Sequence, residues 1–173
     1  MPRIFEGSLS VDYAQAYVCA GELSQLEAGD YFKRQENGLC GASIPHALWL
    51  VFGMESGEVG FTIDVLDAAP PLDDSWEEIV EVPFAVAEDS GEINLLQWPG
   101  EAVCSIPLLP GNYRVRYCAR GMDEGHDTDT ILDDEPLVDF YSLTFWPAEN
   151  AKDRILKQTS EQAQYWDGTV AGQ

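Results

Sequence analysis

Two runs of alternating residues bracket an acidic connection between Gly111 and Pro147, and together they restrict the fold more than any other part of the chain. Tyr113, Val115 and Tyr117 alternate with Arg114, Arg116 and Cys118, and Tyr141, Leu143 and Phe145 alternate with Ser142 and Thr144. A period of two puts one set of side chains on each face of a sheet, so these runs predict a strand and its return strand. Between them, residues 121–136 hold Asp123, Glu124, Asp127, Asp129, Asp133, Asp134 and Glu135 with no Lys or Arg. A connection of that length, with no evident structure of its own, is usually functional or mobile in a compact domain. The sheet is therefore expected to hold the chain together, and the acidic loop to meet a partner.

The rest of the chain repeats the strand signal. Leu9, Val11 and Tyr13 alternate with Ser10 and Asp12 in a first strand reaching about Val18, and Glu22–Asp30 reads as a short helix or turn. Ala47–Gly53 is continuously apolar, as a strand covered on both faces would be. Val59, Phe61, Ile63 and Val65 line one face of the next strand. Val80, Val82, Phe84 and Val86 line another, with Glu81 and Pro83 turned outward. Pro83 cannot donate to a ladder, which places that strand at an edge or at a bulge. With short strands at Ile93–Leu95 and Val103–Leu108, the count reaches eight or so, separated by Gly/Pro turns. This predicts a mainly β fold, an antiparallel β-sandwich or distorted barrel, over about residues 8–147. Residues 149–166 contain no Gly or Pro and stop before Asp167-Gly168, the pattern of a C-terminal α-helix packed on the sheet through Ile155 and Trp166. A length of 173 residues suits one domain, read here as 1–173.

Charge narrows the partner. The 31 acidic residues against 9 basic give a net charge of −22. Such a chain repels nucleic acid and anionic membrane surfaces and attracts basic proteins or cations. No run of roughly 18 apolar residues is present, so no membrane span is expected. MPRIFEGSLS has no apolar stretch of the secretory kind, and a cytoplasmic location is expected. Cys19, Cys40, Cys104 and Cys118 lack CxxC spacing and are expected as buried thiols rather than as a zinc site or disulfide framework.

No motif for catalysis is found: GxSxG, the P-loop, HExxH and GxGxxG are missing, and His46 and His126 have no local nucleophile. No catalytic residue, cofactor or metal ligand is assigned. The stretch HDTDTILDDE has the oxygen ligands of a calcium loop. It places Ile131 at the third alternate position and lacks the glycine of the sharp turn, so it is not an EF-hand. Arg114, Arg116 and Arg120 lie beside the acidic loop and are expected to neutralise nearby carboxylates rather than to grip phosphate. Trp49, Trp146 and Trp166 are expected in the core or under the helix, and Trp76 and Trp98 in loops. The first candidate contact set is Asp123, Glu124, Asp127, Asp129, Asp133, Asp134 and Glu135. The second is Asp73, Asp74, Trp76 and Glu77, from the loop Asp67–Glu78. The alternative reading is a calcium-dependent or carbohydrate-binding β-sandwich module.

Four stretches, LSVDYAQAYV, ALWLVFGM, EEIVEVPFAVAEDSGEINL and CSIPLLPGNYRVRYCA, resemble in order and character the competence protein J (ComJ) family, small acidic inhibitors of a nuclease of DNA uptake. In that family a Val-Pro-Phe strand precedes an Ile-containing strand and a Leu-Pro-x-Gly-x-Tyr turn. The matching positions are Val82, Pro83 and Phe84, then Ile93, then Leu109, Pro110, Gly111 and Tyr113. The resemblance covers roughly residues 8–146. The longer acidic loop after Arg120 and the C-terminal helix depart from it. It implies a non-enzymatic inhibitor or immunity protein that binds a basic nuclease or toxin. Its carboxylates would stand in the cationic cleft where phosphates otherwise lie.

Overall fold

A computed structural model describes residues 3–23 and 27–171. Its strands are β1 (Arg3–Asp12), β2 (Gln15–Ala20), β3 (Cys40–Gly41), β4 (Ala47–Val51), β5 (Ser56–Val65), β6 (Glu78–Val86), β7 (Ile93–Gln97), β8 (Glu101–Ile106), β9 (Gly111–Arg120), β10 (Phe140–Pro147) and β11 (Arg154–Lys157). Its helices are α1 (Ala28–Tyr31), α2 (Met122–Thr128) and α3 (Glu161–Ala171). Part of the segment Glu22–Asp30 lies outside the described residues; the described part ends in α1.

The first expected strand is two. Tyr13 and Ala14 both adopt positive φ, and Asp12 pairs with Gln15 across this two-residue turn, the geometry that matches strand twist in a tight hairpin. That hairpin joins two groups of strands. One runs β11-β6-β9-β10-β5-β1; in the other, β2 is flanked by β4 and β7, with β3 beyond β4 and β8 beyond β7. All belong to one sheet curled as a half-barrel, so the distorted barrel fits and two separate sheets of a sandwich are not found. The expectation of a wholly antiparallel sheet is corrected at one seam. β5 and β10 run parallel from Phe140↔Gly60 to Phe145↔Val65. Parallel neighbours need a long crossover, and here β6 to β9 supply it.

The return pairing of β9 and β10 is as expected, from Phe140↔Arg120 to Pro147↔Tyr113. Tyr113, Val115, Tyr117, Tyr141, Leu143 and Phe145 enter the core with Val80, Val82, Phe52 and Phe61. β11 pairs with Ile79–Glu81 and stops short of Pro83, so β6 is uncovered on that side where the proline falls. Glu81, expected outward, is instead buried. It receives Arg116 at 2.9 Å and Arg114 at 3.3 Å, with the Arg154 guanidinium 3.6 Å away.

The helix expected over residues 149–166 is corrected to a strand followed by a later helix. Ile155 pairs with Val80, and the Glu78 carboxylate then accepts the N–H groups of Thr159, at 2.6 Å, and Ser160. The Ser160 hydroxyl accepts the Ala163 N–H at 3.0 Å, an N-cap that starts α3. Ile155 and Trp166 pack against the core as expected, from different elements. Lys152 pairs with Glu36, and the Lys157 ammonium donates to the Asp74 carbonyl. Two buried carboxylates complete the attachment of this C-terminal segment. Asp153 accepts Glu36 N–H, Asn37 N–H and Asn37 Nδ2, and Asp167 accepts Gly38 N–H and Gln158 Nε2.

Candidate acidic partner-binding face

The acidic connection carries structure of its own, contrary to its reading as a plain loop. Residues 122–128 form α2, which buries Met122 and Gly125. A Cβ at Gly125 would lie 2.5 Å from Asp139 Oδ2 and 3.0 Å from the Met54 N–H, so only glycine lets the helix sit this close. Further on, Glu55 N–H and Ser56 N–H both donate to the Asp129 carbonyl, and Ile131 N–H donates to the Ser56 carbonyl. Ile131 is buried in the core against Gly57. The connection is thus pinned at α2 and again at 129–131.

These pins divide the first predicted set. The Asp123 carboxylate accepts the N–H groups of Glu161 and Gln162 at 3.1 and 2.9 Å, the free donors at the start of α3. It serves the fold. The Glu135 carboxylate accepts its own loop's Leu132 N–H at 3.0 Å, and Asp129 accepts the Thr130 hydroxyl at 3.0 Å. Glu124, Asp127, Asp133 and Asp134 are exposed, and no described residue bonds their carboxylates. None of the seven forms an ion pair among the described residues.

The second set divides in the same way. Glu77 accepts the Gly121 N–H at 2.7 Å and so ties its segment to the start of α2. Asp73 accepts the Ser75 N–H at 2.9 Å, and the Ser75 hydroxyl, helped by this N–H, holds its carboxyl below the usual range. Trp76 is half-buried under Arg120, whose guanidinium lies 4.8 Å from the ring centroid. Asp74 is exposed. The two acidic segments therefore meet at their structured ends, through Trp76–Arg120 and Glu77–Gly121. Arg114 and Arg116 do neutralise a nearby carboxylate, that of Glu81 on β6, while no ion pair ties them to the acidic loop among the described residues.

One feature escaped sequence reasoning. Leu72 and Leu132 are 52% and 69% exposed, each immediately before two aspartates. The repeated Leu-Asp-Asp was the available signal: an apolar side chain beside paired charges, on a loop, is the makeup of an interface anchor with a polar rim. Trp98 is 39% exposed and stacks edge-on with Tyr13, while Trp146 is buried.

His46 bonds the Ala85 carbonyl through Nδ1, and His126 is exposed on α2. All four cysteines are free thiols; Cys19, Cys40 and Cys118 are buried, and burial pushes the Cys118 thiol up to about 12. Among the described residues no group of three His, Cys, Asp or Glu side chains is placed to hold a metal, and no helix is long and apolar enough to cross a membrane.

No family model matches the sequence, and no curated protein matches it. Two solved structures share the fold. ComJ from Bacillus subtilis, described as the inhibitor of the DNA-degrading activity of NucA, aligns with a TM-score of 0.56 at 16% identity, over 84% of this chain and 97% of its own. The crocagin biosynthetic gene J protein aligns with a TM-score of 0.50 at 12% identity, over 83% and 96%. The fold is therefore ComJ-like.

Proposed function

We propose that this chain is a non-enzymatic inhibitor that binds a basic nuclease or toxin through its exposed carboxylates. The observation that carries the reading is the ComJ-like fold over 84% of the chain. The acidic segments supply the means. Glu124, Asp127, Asp133 and Asp134 project from a connection anchored by α2 and Ile131, and none of them pairs with a cation among the described residues. A nuclease cleft built for phosphates presents the complementary charge, and long-range attraction raises the association rate. Anchoring beforehand reduces the ordering entropy lost on binding. Leu72 and Leu132 supply apolar contact within the charged rim.

The test is a titration of the full chain against NucA and against the product of the gene adjacent to its own, reading DNA degradation and binding as salt is raised. Stoichiometric inhibition of one nuclease, weakening with salt, is the expected result. Equal weak binding to any basic nuclease, without inhibition, would reduce the charge to a nonspecific polyanion effect and overturn the reading.

A further inference from the structure

The fold leaves one long edge of β1 open. β1 pairs with β5 in unbroken register from Phe5↔Ile63 to Asp12↔Ser56. It meets β2 only at Asp12↔Gln15, because β4 and β7 take both sides of β2 over Ala16–Cys19. The phase of the ladder shows which groups are left over. Gly60, opposite Ser8, turns its N–H to the Asp139 carbonyl on the β10 side, and Asp12 turns toward Gln15. Alternation then points the N–H and C=O groups of Glu6, Ser8 and Ser10 away from β5. All three residues are exposed, and no described residue bonds these main-chain groups.

The other edges are defended against an added strand. β3 is two residues long, β8 bulges at Val103 and β11 at Leu156, and the uncovered part of β6 holds Pro83. Short strands, bulges and proline are the usual protection against edge pairing. β1 bulges only at its start, at Ile4, and from Phe5 to Asp12 it has no Pro, Lys or Arg. A regular, accessible edge of this kind takes a further strand through main-chain hydrogen bonds, and the side chains on its two faces select the sequence.

Those faces differ in chemistry. Glu6, Ser8, Ser10 and Asp12 share the outer face with Glu58 of β5, where the Ser8 hydroxyl donates to Glu58 at 3.1 Å and the Ser56 hydroxyl to Asp12 at 2.8 Å. Arg3 pairs with Glu6 and Asp64, whereas Glu58 and Asp12 pair with no cation among the described residues. On the inner face Leu9 and Val11 are buried in the core and Phe5 is half-buried. Gly7 lies exposed in the same row, and a Cβ there would sit 3.8 Å from the Phe5 ring, which leaves room for an incoming apolar side chain. A second copy would bring one charge of −22 against another. We propose that the open edge of β1 accepts an extended segment of a basic protein as an added antiparallel strand, with basic side chains over Glu58 and Asp12 alternating with apolar ones toward Phe5 and Gly7. That this protein is a nuclease or toxin rests on the inhibitor reading; the edge contact itself does not.

The test titrates isotope-labelled full chain with a capped heptapeptide of alternating lysine and valine. The control is the same peptide with its lysines N-methylated on the main chain, equal in charge but unable to donate to the edge. Amide resonances of Glu6, Ser8 and Ser10 report the contact. Saturable shifts and slowed hydrogen exchange at these amides are expected, at least roughly tenfold weaker with the methylated peptide. The Ser8 N–H faces outward, so Ser8→Pro removes no bond to β5; it should fold and lose the peptide. Ser8→Ala lacks only the hydroxyl contact with Glu58 and should keep it. If Ser8→Pro unfolds, the methylated peptide on the unaltered chain still decides. Equal binding of the two peptides, undiminished binding by a folded Ser8→Pro, or a dimer of the chain alone that Ser8→Pro dissociates would overturn the proposal. Failure to inhibit any nuclease would leave the peptide result standing, whereas full inhibition by Ser8→Pro would overturn the edge contact and leave the inhibitor reading intact.

Discussion

The carboxylates of Glu124, Asp127, Asp133 and Asp134 and those of Glu78, Glu81, Asp139, Asp153 and Asp167 are the same chemical groups in opposite circumstances. The first lie in water without partners. The second are all buried, and each faces a donor: Thr159 and Ser160 N–H for Glu78, two arginines for Glu81, three N–H groups of residues 36–37 for Asp153. A buried carboxylate is tolerated only where such donors replace water. Part of the acidity that looks like a partner-seeking charge is therefore structural cement. The carboxylates left free for the proposed contact are fewer than a charge of −22 suggests.

That contrast is broken most severely at Glu81. Removing it in Glu81→Ala leaves Arg114 and Arg116 buried without a counter-charge, and a loss of about 3–5 kcal/mol is expected by urea unfolding. Next is Asp153→Ala, which orphans three N–H donors between residues 36 and 37. A loss of about 2–4 kcal/mol is expected, with Asp153→Asn milder because one oxygen acceptor remains. A result near zero for either would mean that water replaces the lost partner.

Asp139 inverts the pattern and has a pH signature. Burial pushes its carboxyl up to about 6, against the Tyr141 hydroxyl and the Met54 N–H that hold one oxygen; Glu124 raises it further, and Oδ1 meets no described partner. The folded state binds this proton more tightly than the unfolded chain does. Its stabilising contribution is therefore full below about pH 4 and is lost as pH rises through about 6. The loss is on the order of 3 kcal/mol. Asp139→Asn should flatten stability across that window and be more stable than the parent at neutral pH. An unchanged slope would assign the pH dependence to other groups.

Most of the strands were legible because alternation is a local property that burial on one face enforces. The side chains of β6, β9 and β10 could be assigned to faces from letters alone. What depended on distant partners was not legible. β11 has no strand signal beyond four residues and forms because β6 offers an edge at Ile79–Glu81. α2 looked like loop because nothing in its seven residues signals a helix locally; its Gly125 is small to admit Asp139. The parallel contact of β5 with β10 joins segments too far apart in sequence for any window to see. The same limit splits the candidate site. Asp123 and Glu124 are adjacent and both acidic, yet only Asp123 faces the open N–H groups of α3.

The smallest effect on stability is expected where the proposed effect on binding is largest. Replacing Glu124, Asp127, Asp133 and Asp134 with Gln or Asn removes four exposed charges that no described residue bonds, so each should change stability by less than about 0.5 kcal/mol. Asp134 has a φ of +74°, a conformation that Asn adopts as readily. The same quadruple variant should associate with its nuclease at least roughly tenfold more slowly at low salt, with the difference shrinking as salt rises, because steering acts through charge at a distance. The companion variant Asp123→Asn with Glu77→Gln alters two carboxylates that cap the chain's own N–H groups. It should cost about 1 kcal/mol or more in stability and slow association less. Stopped-flow rates over a salt series separate the two. If the companion pair slows association as much as the exposed four, net charge alone drives the encounter, and the division between structural and contact carboxylates has no kinetic meaning.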